Sequence, residues 1–176
     1  MSADPEIIER ARRIKLLLMD CDGVLTDGQL WLTPDGDEQK TFHTRDGQGI
    51  SLFQRAGFPT GIISGRTSSA VERRVRDLKM SYLHQDAKDK IKALEEIVAE
   101  AGVSAAECAY IGDDLADVPL LRRVGLAVAV ADAAEEAKQT AHYITSRPGG
   151  HGAVREVTDL ILKAQGRWEE LMRWFD

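Results

Sequence analysis

Seven residues carry most of the reactive chemistry in this chain: Asp20, Asp22, Ser64, Lys90, Asp113, Asp114 and Asp117. The first two sit in LLLMDCDGVLTD, residues 16–27, at the end of an apolar run where carboxylates are costly unless something compensates them. Residues two apart in an extended chain face the same side, so Asp20 and Asp22 can share a pocket while Cys21 points elsewhere. Two close carboxylates titrate as a pair, one ionised while the other holds a proton, which suits a nucleophile beside a general acid. Asp113 and Asp114 add negative charge that calls for a cation, and oxygen ligands in a partly hydrated site favour Mg²⁺. Lys90 can neutralise the remainder and hold a charged substrate oxygen, and Ser64, with the N–H groups there and at Gly65, can donate to the same anion. An anion, a magnesium ion and an attacking carboxylate together describe phosphoryl transfer.

Helical and strand-like patterns alternate along the chain, which predicts an α/β fold: a doubly wound, Rossmann-like parallel sheet with helices on both faces. A short helix over 5–13 precedes a strand at 14–19, IKLLLM, whose lack of alternation marks it as fully buried. Residues 28–43 read as a β-hairpin flap, with Pro34-Asp35-Gly36 as its turn. A short helix at 49–57 stops at Gly57, a strand follows at 59–64, and a helix at 67–78 is capped by Thr67 or Ser68. Then come a strand at 80–85 and a helix at 88–102 with Ile91, Leu94 and Val98 on one face. A strand at 108–113, a helix at 115–125 with Pro119 near its first turn, strands at 126–130 and 142–145, and a long helix at 152–166 complete the series. Such sheets bind ligands beyond the carboxyl ends of their strands, and the reactive residues fall there.

The chain is 176 residues long, which suits a single domain over 1–176. Its net charge of -6 argues against nucleic-acid and anionic-membrane partners, which require a basic surface. Cys21 and Cys108, the only cysteines, lie in apolar segments and read as buried thiols of a reducing compartment. No apolar run approaches the ~20 residues of a membrane span. MSADPEIIERARR, at the start, lacks the apolar core of a signal peptide, so the expected location is cytoplasmic.

DCDGVLTD, the serine of SGR, Lys90 and GDDLAD match, in order, the four motifs of the haloacid dehalogenase-like phosphohydrolases, which this chain resembles. The resemblance implies that Asp20 attacks phosphorus to form an aspartyl-phosphate, and that Asp22 protonates the leaving alcohol and then activates water. It implies that Asp20, the Asp22 backbone carbonyl and Asp113 bind Mg²⁺, and that Ser64 and Lys90 hold phosphoryl oxygens. Asp114 and Asp117 then support the metal's water shell or orient the lysine. Residues 23–63 and 65–89 are too short to hold the specificity cap that this superfamily inserts there, so a neighbouring subunit is the expected cover.

Nearly the whole chain resembles one capless subfamily, the 3-deoxy-D-manno-octulosonate (KDO) 8-phosphate phosphatases, through DGVLTDGQL, FHTRDGQGI, ISGR, AYIGDDLADVPLL, VGLAVAVADA and GGHGAVREVTDLIL. That likeness implies a phosphorylated sugar acid as substrate and a homotetramer whose hairpins join in a central barrel, with a C-terminal tail, here about 148–176, reaching a neighbour's site. It places His43, Thr44, Arg45, Asp46 and Gly47 along the sugar-acid site, with Gly65, Arg66, Arg74 and Lys90 nearby. Arg66 favours the eight-carbon acid over a nine-carbon keto-sugar acid 9-phosphate. Ser51 and His151 depart from the subfamily, where both positions often carry Arg or Lys.

Other readings stay open at this point. Asp27 caps a turn or joins the site, and the GGHG stretch is a helix-entry turn or lies near a neighbour's site. His84 and His142 read as ordinary residues flanking strands, and Trp168, Leu171, Met172 and Phe175 as a packing stripe. A phosphoacceptor signalling domain and a non-catalytic oligomerisation domain are the rival functions.

Overall fold

The computed structural model describes residues 4–34 and 38–175. The strands are β1 (Leu16–Met19), β2 (Trp31–Leu32), β3 (Glu38–Gln39), β4 (Thr60–Ile63), β5 (Tyr82–His84), β6 (Cys108–Gly112), β7 (Leu126–Ala129) and β8 (Tyr143–Ile144). The helices are α1 (Pro5–Arg12), α2 (Thr44–Arg55), α3 (Ser69–Leu78), α4 (Lys90–Ala101), α5 (Val118–Leu121), α6 (Glu135–Thr140), α7 (Ala153–Ala164) and α8 (Trp168–Met172). Six strands form one sheet in the order β5-β4-β1-β6-β7-β8, every pairing parallel. β1 is central because all four of its side chains are wholly apolar and buried, pairing with β4 on one side and β6 on the other. Helices α1, α2 and α7 pack together in one layer and α4, α5 and α6 in another. The chain winds outward from β1 in one direction and then returns to build the other half, so the crevice beyond the ends of β1 and β6 is the topological switch point.

The segments that were too short for a cap hold little. Among the described residues, 23–59 contain β2, β3 and α2, and 65–89 contain α3 and β5. The hairpin is shorter than the 28–43 arms suggest: Trp31 pairs with Gln39 and Leu32 with Glu38, and the rest of each arm is irregular. An isolated two-stranded ribbon gains too little from burial to extend itself. Of its expected turn, Asp35 and Gly36 lie outside the described residues. Leu30, Trp31 and Leu32 are exposed.

α2 begins at Thr44, earlier than the expected 49, with His43 Nδ1 accepting the Arg45 N–H at 3.1 Å as its cap. Gly47 and Gly49 disguise this start, yet each serves close packing: a Cβ at 47 meets the Arg74 guanidinium and one at 49 meets Thr158 Oγ1, each at 2.5 Å. The expected helix over 115–125 divides into a 3₁₀ turn at Leu115–Asp117 and the short α5. On α4 the buried face is Lys90, Ala93, Leu94 and Ile97, with Ile91 and Val98 at its flanks. In the tail, Leu171 is buried and Trp168 and Met172 pack on the core, but Phe175 is exposed because the helix tightens to 3₁₀ after Met172. Cys21 and Cys108 are buried free thiols. Among the described residues, no helix is long and apolar enough to cross a membrane.

Candidate active site

Asp20 follows the last residue of β1, and its backbone N–H extends the ladder to the Ile111 carbonyl at 3.0 Å. One carboxylate oxygen accepts the Cys21 N–H at 2.6 Å and the other accepts from Lys90 Nζ at 2.8 Å. Asp113 follows β6, the neighbouring strand, so parallel pairing brings the two acids together. Carboxylate oxygens of Asp20, Asp113 and Asp117 lie within 4.8 Å of one another. Asp117 is wholly buried and fully engaged: it accepts from Lys90 Nζ and from the Tyr110 hydroxyl, both at 2.7 Å, and from the Asp113 N–H at 3.0 Å. Two glycines make this approach possible. A Cβ at Gly112 stands 2.5 Å from that of Asp117, and a Cβ at Gly23, where φ is +87°, stands 2.1 Å from Asp113 Oδ2.

Three acids around one lysine leave excess negative charge. Burial, then the neighbouring Asp117, raises the Asp20 carboxyl to about 6. Burial, then Asp117 and Asp20, raises Asp113 to about 8. Burial alone pulls Lys90 down, but Asp20 and Asp117 outweigh it and the amine titrates above its ordinary value. Asp113 Oδ1 is buried without a hydrogen-bond partner among the described residues. A hard divalent cation answers both the excess charge and the orphaned oxygen, so the donor set fits Mg²⁺. A measurable consequence concerns stability. A raised carboxyl binds more protons in the folded state, so without a cation stability falls as pH climbs from about 4 towards 8. Magnesium competes with those protons, and differential scanning fluorimetry should show a larger rise in melting temperature on adding Mg²⁺ at pH 8 than at pH 5.

The Asp22 side chain stands apart from this cluster. It pairs with Lys40, whose side chain is 1% exposed, and with Arg66 at 3.6 Å. Both cations also reach Glu38, Lys40 at 3.3 Å and Arg66 in direct contact. Two acids and two bases thus join the β1 loop, the hairpin and the loop after β4. Ser64 is buried, its N–H bonded to the His84 carbonyl and its hydroxyl accepting the Arg66 N–H at 3.3 Å, while Gly65 is exposed. Lys40 and Glu38 are the site's neighbours that motif reasoning missed. Their signal was a two-residue spacing in an extended arm, which puts both on one side.

The residues expected along the sugar-acid site gather around the start of α2. Asp46 is wholly buried and accepts the N–H groups of Gly152 at 3.1 Å and Arg155 at 2.8 Å, so it caps α7 from a distance instead of lining an opening. Gly47 is buried against Arg74, whose guanidinium stacks 5.3 Å from the centre of the Phe42 ring and reaches the His43 carbonyl at 3.4 Å. Thr44 and Arg45 are exposed at the start of α2. Ser51 donates to the Gly47 carbonyl, and the His151 ring contacts the Gly149 carbonyl at 2.7 Å. Asp114 is exposed and caps the 3₁₀ turn through the Leu115 N–H at 2.7 Å. Asp27 caps a turn by accepting from Gln29.

The GGHG stretch packs on its own chain. Gly150 N–H donates to the Val24 carbonyl at 2.9 Å, and a Cβ at Gly149 stands 1.8 Å from the Gly23 carbonyl oxygen. A cavity of about 890 Å³ opens between the hairpin and α3, lined by Lys40, Phe42, Arg73, Arg74 and Arg76 among others.

Residues 80–156 match the model of the haloacid dehalogenase-like hydrolase family. A 3-deoxy-D-manno-octulosonate 8-phosphate phosphatase, KdsC, of Yersinia pestis is 44% identical over 93% of this chain and 88% of that protein. The crystal structure of a probable YrbI family phosphatase from Pseudomonas syringae is 46% identical, covers 98% of each chain and superposes with a TM-score of 0.95. That of the 3-deoxy-D-manno-octulosonate 8-phosphate phosphatase from Moraxella catarrhalis, in complex with magnesium, phosphate and KDO, is 40% identical over 97% of this chain and 98% of that one, with a TM-score of 0.94.

Proposed function

Because the chain belongs to the haloacid dehalogenase-like hydrolases, within their 3-deoxy-D-manno-octulosonate 8-phosphate phosphatase subfamily, we propose that it hydrolyses KDO 8-phosphate to KDO and phosphate. The observation that carries this reading is the meeting of Asp20, Asp113 and Lys90 at the switch point, with a buried carboxylate oxygen left for a cation. Magnesium is the cofactor, and when bound it neutralises charge on the transferring phosphoryl group. Asp20 and Asp113 would hold it, with the Asp22 backbone carbonyl.

The protein's own groups do the rest. Lys90 fixes the Asp20 carboxylate at 2.8 Å and faces the phosphoryl oxygens beside it. An Asp20 oxygen attacks phosphorus in line, and the ester oxygen departs with a proton from Asp22. Asp22, now ionised, takes a proton from water, which attacks phosphorus and frees Asp20 and phosphate. Ser64 and the exposed N–H at Gly65 hold the phosphoryl oxygens opposite the lysine. Asp117 positions Lys90 from the buried side and Asp114 shapes the loop bearing Asp113. The cavity beside Lys40 has the volume for a sugar acid, and Arg74 gives it a cation for the carboxylate. His43 and Thr44 stand at the start of α2, next to Phe42 of the cavity wall, Arg45 lines a separate groove beside α7, and Asp46 acts by holding α7. A phosphate-release assay over keto-sugar phosphates should give a kcat/KM for KDO 8-phosphate at least about tenfold above any nine-carbon acid 9-phosphate. The reverse order would move the substrate assignment and leave the chemistry in place.

The assembly is a homotetramer in this reading, with neighbouring subunits covering the open site. It rests on Leu30, Trp31 and Leu32, which are exposed at 47%, 61% and 71% along one hairpin arm. Light scattering at micromolar concentration should give a tetramer mass, and Trp31→Glu should shift it towards smaller species. The two buried free thiols suit a reducing compartment, and we assign the protein to the cytoplasm.

A further inference from the structure

We infer that Lys40, on the returning arm of the hairpin, is a positioning residue for the reaction and acts through Asp22. This rests on Asp22 being the group that protonates the departing alcohol. An aspartate has two rotatable side-chain bonds and two equivalent oxygens, so one contact leaves it free to swing. Here each oxygen has its own cation: Lys40 on Oδ1 and Arg66 on Oδ2. The two are unequal. Arg66 is 46% exposed and 3.6 Å away, whereas Lys40 is 1% exposed and in direct contact, so water screens the first pair and hardly reaches the second.

A buried lysine loses solvation and is kept only where its charge is answered. Asp22 and Glu38 answer it. Glu38 belongs to β3 and Lys40 stands one residue beyond that strand, so the contact that orients Asp22 also registers the hairpin against the β1 loop. Among the described residues the hairpin has no other sheet to fix it, since β2 and β3 pair only with each other. Its placement and the aim of the acid–base carboxylate are therefore coupled through Lys40, with Arg66 bridging Asp22 and Glu38 from the more exposed side. Lys40 and Glu38 also line the cavity between the hairpin and α3.

The test uses two esters of nearly the same shape, phenyl phosphate and p-nitrophenyl phosphate. Phenoxide is the more basic leaving group and needs protonation on departure, and p-nitrophenoxide leaves without it. In Lys40→Met, kcat/KM for phenyl phosphate should fall about 10–100-fold and that for p-nitrophenyl phosphate less than about threefold. Lys40→Arg, which keeps a cation, should restore most of the difference. A merely structural lysine would lower both esters equally in Lys40→Met, and that result overturns the inference, as would an unchanged ratio in a variant that keeps its melting temperature. Should Lys40→Met fail to fold, Lys40→Arg and Lys40→Gln carry the same comparison, and an equal ester ratio in both overturns it. Asp22→Asn separates the role of Asp22 from that of Lys40 when read as the pre-steady-state burst of phenol or p-nitrophenol, because steady turnover of either ester also needs Asp22 to activate water. If it spares p-nitrophenyl phosphate while losing phenyl phosphate, the role of Asp22 stands and Lys40 is judged alone. If it lowers both equally, the reading of Asp22 as proton donor fails, and the inference falls with it.

Discussion

Asp20→Asn should reduce phosphate release by about 10⁴-fold or more, since the variant keeps the shape of the site and removes only the attacking oxygen's charge. The accompanying stability makes the result interpretable. Burial and Asp117 disfavour the ionised Asp20, so a neutral amide there removes an electrostatic cost in the metal-free protein. The amide oxygen can still accept the Cys21 N–H, which turns the amide nitrogen towards Lys90 and leaves Asp117 as that amine's acceptor, a loss that offsets part of the gain. Melting temperature without magnesium should therefore stay within a few degrees of the parent, or rise. Loss of turnover with retained melting places the defect in chemistry. Turnover within about tenfold of the parent would rule out Asp20 as the nucleophile.

Lys90→Met should damage the fold as well as catalysis. The amine is 7% exposed and bonds Asp20 at 2.8 Å and Asp117 at 2.7 Å. Removing one partner of a buried charge group leaves the others uncompensated, at a cost of about 3–5 kcal/mol. Lys90 titrates above its ordinary value, so its contribution is fully present below that value, across all of neutral pH, and is lost only in strong alkali. Without it the acids are relieved by taking up protons, so the deficit in a chemical denaturation series should be larger at pH 8 than at pH 5. Turnover should fall by at least about 10²–10³-fold at either pH, because the phosphoryl oxygens lose their fixed cation. A stability deficit that is equal at both pH values would mean that the acids do not share their charge through Lys90.

Much of this site was legible from residue types alone. LLLM reads as a central strand because nothing in it alternates, and parallel pairing then carries Asp20, Ser64 and Asp113 to one edge of the sheet. What stayed hidden depended on long-range packing. The first turn of α2 is polar and carries Gly47, with Gly49 close behind, a poor helix start judged locally, and it is rewarded only by contact with Arg74 and α7. Asp46 reads as a ligand contact, yet it serves the start of a helix more than a hundred residues away, a partnership that no local pattern signals. Lys40 carries no local sign of its partner, and only the folded hairpin brings it onto Asp22. The motif resemblance left Asp114 and Asp117 between the metal's water shell and the lysine, and the tertiary structure puts Asp117 beside Lys90, Asp114 on the surface, and leaves Asp113 with an unanswered oxygen.

The stacking of Gly149 and Gly150 on the backbone of Gly23 and Val24 bears on how the enzyme is made. The ribosome delivers the nucleophile's loop early, and the backbone that braces it emerges well over a hundred residues later. A nascent chain halted before that brace would present Asp20 on an unsupported loop. The chain can therefore become competent only after Gly149 and Gly150 have emerged, and a product truncated before Gly149 should be silent even though every reactive side chain is present.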